Sequence, residues 1–103
     1  MNLTMRAAIG ALCFPLMMTS VQAGAIERAC NKSDRDAANS TVCACIQQVA
    51  DQSLSNADQR RAAGFFNNPD KAQDVRLSDT SRDDAFWARY TAFGEQAEAY
   101  CTF

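Results

Sequence analysis

Apolar positions in this chain fall into two patterns. From Ala7 to Met18 they are almost continuous, broken only by Gly10 and Pro15. From Gly24 onward they recur at the three-and-four spacing of amphipathic helices, and no stretch alternates with a period of two. The second pattern predicts an all-α fold, a small bundle of four to five helices. A first helix over 24–31 places Ile26, Ala29 and Cys30 on one side. After a polar loop over 31–39, a second helix over 40–54 carries a stripe of Val42, Ile46, Val49 and Ser53, with Cys43, Ala50 and Leu54 beside it. Ser55-Asn56-Ala57-Asp58 resembles a capping box with Asp in place of Glu, and opens a third helix to Phe66. Asn68-Pro69 then breaks and restarts the chain, Asn68 as N-cap and Pro69 in the first helical position. The short fourth helix ends near Leu77. Ser81 is expected to cap the last helix, with Asp83 and Asp84 favourable in its first turn. Phe86, Tyr90, Phe93, Ala97 and Tyr100 hold one apolar face along that helix, and Gly94 beside it is expected to permit a close helix contact.

The continuous apolar run has a different meaning. Residues 1–6 form a short segment with one positive charge, 7–18 an apolar core of 12 residues, and 19–23 a polar end closing on Val21-Gln22-Ala23. This is the layout of an export signal removed after Ala23, with a second acceptable cut after Ala25. Twelve apolar residues are too few to cross ~30 Å of hydrocarbon, so no membrane anchor is expected after removal. The expected organisation is a signal peptide over 1–23 and one domain over 24–103, placed in the periplasm or outside the cell by a Sec-type route.

Composition changes once the signal is set aside. Residues 24–103 hold only 12 Leu, Ile, Val and Phe in 80 positions, below the ~20% at which disorder becomes a concern. Eight aromatic residues stand against seven Leu, Ile and Val, so the core has to be built from rings and alanine. The segment keeps all 12 acidic and nine of the ten basic residues. A net negative charge without a basic stripe excludes a generic nucleic-acid binder. The chain has no His, which removes His-based catalysis and His-ligated metal, and no cofactor is expected. No group of residues nominates itself as catalytic. The reading is therefore a non-enzymatic interaction or accessory protein with an unidentified envelope protein partner. A small apolar-ligand binder using an aromatic-lined cavity is the alternative.

Four cysteines remain after the signal: Cys30, Cys43, Cys45 and Cys101. An even number in a small exported chain implies a disulfide framework. Cys43 and Cys45 lie about 200° apart on a helix and do not pair comfortably. That leaves Cys30 with Cys43 and Cys45 with Cys101, or Cys30 with Cys45 and Cys43 with Cys101. The first is favoured, because Cys30 and Cys43 then face each other across a short hairpin. Loop closure makes those bridges worth ~3 and ~4 kcal/mol. A thiol–disulfide role for Cys43 and Cys45 is a further alternative, since Cys43 falls in the first turn of a helix. A zinc site fits the one-residue spacing poorly. Four side chains are candidates for partner contact: Trp87, which lies well round the last helix from its apolar face, Arg89 beside it, and Arg60 with Arg61 on the third helix.

The phrases Cys43-Ala44-Cys45-Ile46-Gln47-Gln48-Val49-Ala50-Asp51, Asp58-Gln59-Arg60-Arg61-Ala62-Ala63 and Phe86-Trp87-Ala88-Arg89-Tyr90 resemble a group of small exported four-cysteine helical proteins of alphaproteobacteria. The likeness covers most of the chain after residue 23. It implies a periplasmic helical protein and supplies no catalytic residue.

Overall fold

A computed structural model describes residues 24–36 and 38–102. The expected export signal, its cleavage point and Phe103 lie outside the described residues. Five helices account for most of what is described: α1 (Ala25–Lys32), α2 (Ser40–Ser53), α3 (Asn56–Asn67), α4 (Pro69–Arg76) and α5 (Ser81–Cys101). Among the described residues there is no strand, and no helix is long and apolar enough to cross a membrane.

The helices close into a circuit. α2 packs against α5 and α1, α1 against α3, α3 against α4, and α4 returns to α5, while α3 also touches α5. The enclosed core is small. Ile26 of α1 and Phe86 of α5 are its most completely buried large side chains. Val49 and Ala50 from α2, Ala62 and Phe65 from α3, Val75 from α4 and Phe93 from α5 fill the space between them. Rings supply its bulk, as the shortage of aliphatic residues demands. Phe65 meets Phe86 edge-on at 6.0 Å and Tyr90 at 5.2 Å, and Tyr90 also touches Trp87 and Phe93.

The helix starts are set by short polar side chains, with three departures from the sequence reading. Asn39 caps α2, accepting the Val42 N–H at 2.9 Å. Ser55 caps α3 by accepting the Asp58 N–H, but Asp58 does not complete a capping box. Its carboxylate turns instead to Arg89 of α5, a charged donor that outcompetes a backbone amide. Asn68 stands before α4, yet its side chain makes no capping bond. It is shared between two helices: its N–H closes α3 on Gly64, and its carbonyl receives the Lys71 N–H. Thr80, not Ser81, caps α5, through the Asp83 N–H at 3.2 Å.

Two disulfides fasten the circuit. Cys30 joins Cys43, tying α1 to the start of α2, and Cys45 joins Cys101, tying α2 to the end of α5. This is the favoured pairing of the two considered. The second bridge also corrects the expected face of α5. Cys101 is buried, and Tyr100, one step of about 100° away on the helix, is turned outward and 75% exposed. Gly94 is exposed as well, with nothing within 4 Å of where its Cβ would lie, so it mediates no close helix contact.

Candidate functional site

The site begins with the orientation of α2. Its apolar pattern predicted that Val42, Ile46, Val49 and Ser53 would face the core. Val49 is buried, but the most buried line runs one residue further on, through Cys43, Gln47, Ala50 and Leu54, three of which the pattern places beside the stripe. Two constraints rotate the helix. The Cys30–Cys43 bridge draws Cys43 inward until it is fully buried. Gln47 then serves as a buried connector: its Oε1 accepts the Glu27 N–H of α1, and its Nε2 donates to Asp51 and to Gln59 of α3. Gln59 in turn donates to the carbonyls of Ala50 and Leu54. No buried side-chain nitrogen or oxygen among the described residues lacks a partner, so the two glutamines are tolerated in the interior.

The cost of that rotation appears on the surface. Val42 and Ile46 are left half-buried along the seam between α2 and α5. Together with Phe93 and Ala97 of α5 and Phe66 at the end of α3, they line an apolar depression of about 230 Å³. The Cys30–Cys43 bridge borders it, and the α1–α2 loop forms its lip through Arg35 and Ala38. A larger depression of about 700 Å³ continues along the seam, sharing Val42, Ile46 and Ala97 and ending among Asn39, Thr41, Glu98 and Thr102.

One cation sits at the mouth of this groove. The Arg35 guanidinium lies 5.0 Å over the Phe66 ring, a placement worth roughly 0.5–1 kcal/mol at an exposed site. It makes no hydrogen bond or ion pair within the described residues. The Tyr90 hydroxyl likewise has no hydrogen-bond partner among them. Burial raises the Tyr90 pKa above its ordinary value, while the nearby Arg35 charge pulls it down. Tyr90 is therefore a neutral donor within the electrostatic reach of Arg35.

The four side chains singled out from the sequence lie elsewhere. Arg89 donates from Nε and Nη2 to the two oxygens of Asp58, at 2.7 and 3.2 Å. Arg61 donates to Asp83 at 2.6 Å, and its guanidinium lies 4.5 Å over the Phe86 ring. Both arginines thus clamp α3 to α5. Arg89 holds the Asp58 carboxyl below its usual range, chiefly through those hydrogen bonds, and Arg61 does the same for Asp83. Trp87 is half-buried, packed on the core with its ring 5.3 Å from Tyr90. Arg60 is exposed at the rim of a polar depression near the start of α1. Cys43 and Cys45 belong to different bridges, so they do not form a redox pair with each other.

Comparison with protein-family models, with curated proteins and with solved structures returned no match. The groove is accordingly read from its own chemistry. It was missed in the sequence because Val42 and Ile46 looked like core. Arg35 sits in a charged loop, and no local signal distinguishes it from Arg28 or Lys32.

Proposed function

We propose that this chain is an exported, periplasmic accessory protein of the cell envelope that acts by binding rather than by catalysis, with the groove between α2 and α5 as its binding face. The observation that carries the reading is the rotation of α2. A helix that buries Gln47 and leaves Val42 and Ile46 only half-buried departs from local preference, and such departures concentrate at functional sites. Both bridges border this region, one at the lip and one at the seam, and they fix its walls. Catalysis has no comparable support, because the buried polar groups are engaged in holding helices together.

Export rests on separate support. The layout of residues 1–23 is that of a cleavable signal, and two disulfides suit an oxidising compartment. The likeness to small exported proteins of alphaproteobacteria points to the same place. The fold also favours one of the two cleavage points. Gly24 is the N-cap of α1, and its carbonyl accepts the Arg28 N–H at 3.0 Å. Cleavage after Ala23 keeps that cap, whereas cleavage after Ala25 removes it and leaves the buried Ile26 as the first residue.

Intact mass spectrometry of the protein expressed with its own N-terminal segment tests this reading. The expected species begins at Gly24 and is four hydrogens lighter than its reduced form. A full-length chain with four free thiols, recovered from the cytoplasm, overturns it. Of the four candidate side chains, Arg60 is exposed and makes no ion pair within the described residues, Arg61 and Arg89 are held by carboxylates, and Trp87 is half-buried with an edge still open to a partner. Crosslinking in intact cells, with and without Trp87→Ala, tests that contact.

A further inference from the structure

The groove has a chemical polarity that limits what it can hold. Its floor is hydrocarbon and aromatic: Val42, Ile46, Phe66, Phe93 and Ala97. At its mouth stands Arg35, whose guanidinium is positioned by the Phe66 ring and has no carboxylate partner among the described residues. The contrast with the other arginine held over a ring is informative. Arg61 lies over the Phe86 ring and is neutralised by Asp83. Arg35 is held over a ring without that neutralisation. A planar guanidinium with free N–H groups matches a carboxylate bidentately.

We infer that the groove binds a small amphipathic carboxylate, its acid group on Arg35 and its aliphatic tail on the apolar floor. This rests on the reading of the groove as a binding face and names its occupant. Size sets the scale. The inner depression is about 230 Å³. At the ~30 Å³ that a small group occupies in a condensed phase, it admits about seven or eight heavy atoms. A straight tail of that length fills it, and longer chains extend along the seam toward Asn39 and Thr102. Glu98 stands at that far end, so a second acid group there is disfavoured. A cationic head at the mouth meets Arg35 and is repelled.

The tail contributes affinity through apolar burial, and the head contributes orientation. Neither requires a covalent step. The Cys30–Cys43 bridge has a defined part in this arrangement: it holds the base of the loop that carries Arg35. Where one end of a groove is apolar and the other bears an unpaired cation, affinity is expected to depend on both ends of the ligand.

The test uses the oxidised protein as purified, titrated with octanoate, octanol and octylammonium, and followed by calorimetry and by methyl NMR. Octanoate is expected to bind most tightly and to shift the methyl signals of Val42, Ile46 and Ala97. Arg35→Gln is expected to weaken octanoate about tenfold and octanol less than twofold. Arg35 lies in an exposed loop, and an unchanged far-UV spectrum and melting temperature show that the variant is folded. Equal affinity for octanoate and octanol, or an Arg35→Gln variant that binds octanoate unchanged, overturns the carboxylate assignment and leaves the groove as a binding face. No shift at Val42, Ile46 or Ala97 with any of the three probes overturns both.

Discussion

At the scale of single residues, two glycines, one capping α1 and one inside α5, carry opposite constraints. Gly94 lies on the open surface of α5, and an added Cβ there meets nothing within 4 Å. Gly94→Ala should stabilise the protein by about 0.5–1 kcal/mol through lower unfolded-state entropy. A thermal melt should rise by a few degrees. At Gly24 the added Cβ would stand 2.3 Å from the Gln47 side chain. Gln47 cannot turn aside without giving up its bonds to Glu27, Asp51 and Gln59, so Gly24→Ala should lower the same melt. Residue-scale electrostatics are visible in Asp58. Hydrogen bonds from Arg89 depress its pKa below 3.8, so the folded state binds this proton less readily than the unfolded chain. That contribution to stability is fully present above about pH 4 and is lost as the pH falls through the depressed value. Arg89→Gln should flatten the acid-side loss of stability below about pH 4, measured as denaturation midpoints against pH.

At the scale of elements, the bridges act on different parts of the circuit. Cys30–Cys43 closes a short loop, with a sequence separation of 13, and Cys45–Cys101 a long one, with a separation of 56. Loop-closure entropy makes the longer bridge worth about 1 kcal/mol more. Replacing Cys45 and Cys101 together by Ser should therefore lower the unfolding free energy more than replacing Cys30 and Cys43, as read from urea denaturation. The helix boundaries were largely legible: all five helices fall within one or two residues of the pattern-based reading. The caps were less so, because Ser is the stronger N-cap in isolation and only the turn geometry selects Thr80 over Ser81. The faces of α2 and α5 were legible only in part. A hydrophobic stripe records which side chains prefer burial, but a disulfide and a buried amide network can outweigh that preference by one helical position.

At the scale of the whole molecule, the core is too small to stand alone. A domain of this size draws roughly 3–5 kcal/mol from its core, and the two bridges together contribute a comparable amount or more. Reduction with dithiothreitol should therefore unfold the protein at ambient temperature, seen as loss of the far-UV helical signal. A reduced protein that kept its full helical signal would show that the rings and the Gln47–Gln59 network suffice. The binding groove also belongs to this scale. Its walls come from α2, α3, α5 and the loop after α1, and it exists only once the circuit is closed.

The sequence by itself determined the helical class, the number and approximate limits of the helices, the reliance on rings, and a choice between two cysteine pairings. All of these follow from local spacing, capping chemistry and composition, which act over a few residues. Tertiary structure decided which face of α2 is buried, which arginines find carboxylates, and which one is left open over a ring. Those outcomes depend on contacts such as Glu27 with Gln47, Asp58 with Arg89, and Cys45 with Cys101, across 20, 31 and 56 positions of chain. No helical period encodes a partner that distant. The groove is the consequence: two aliphatic side chains that the pattern assigned to the core, displaced to its edge by a cross-link and a glutamine.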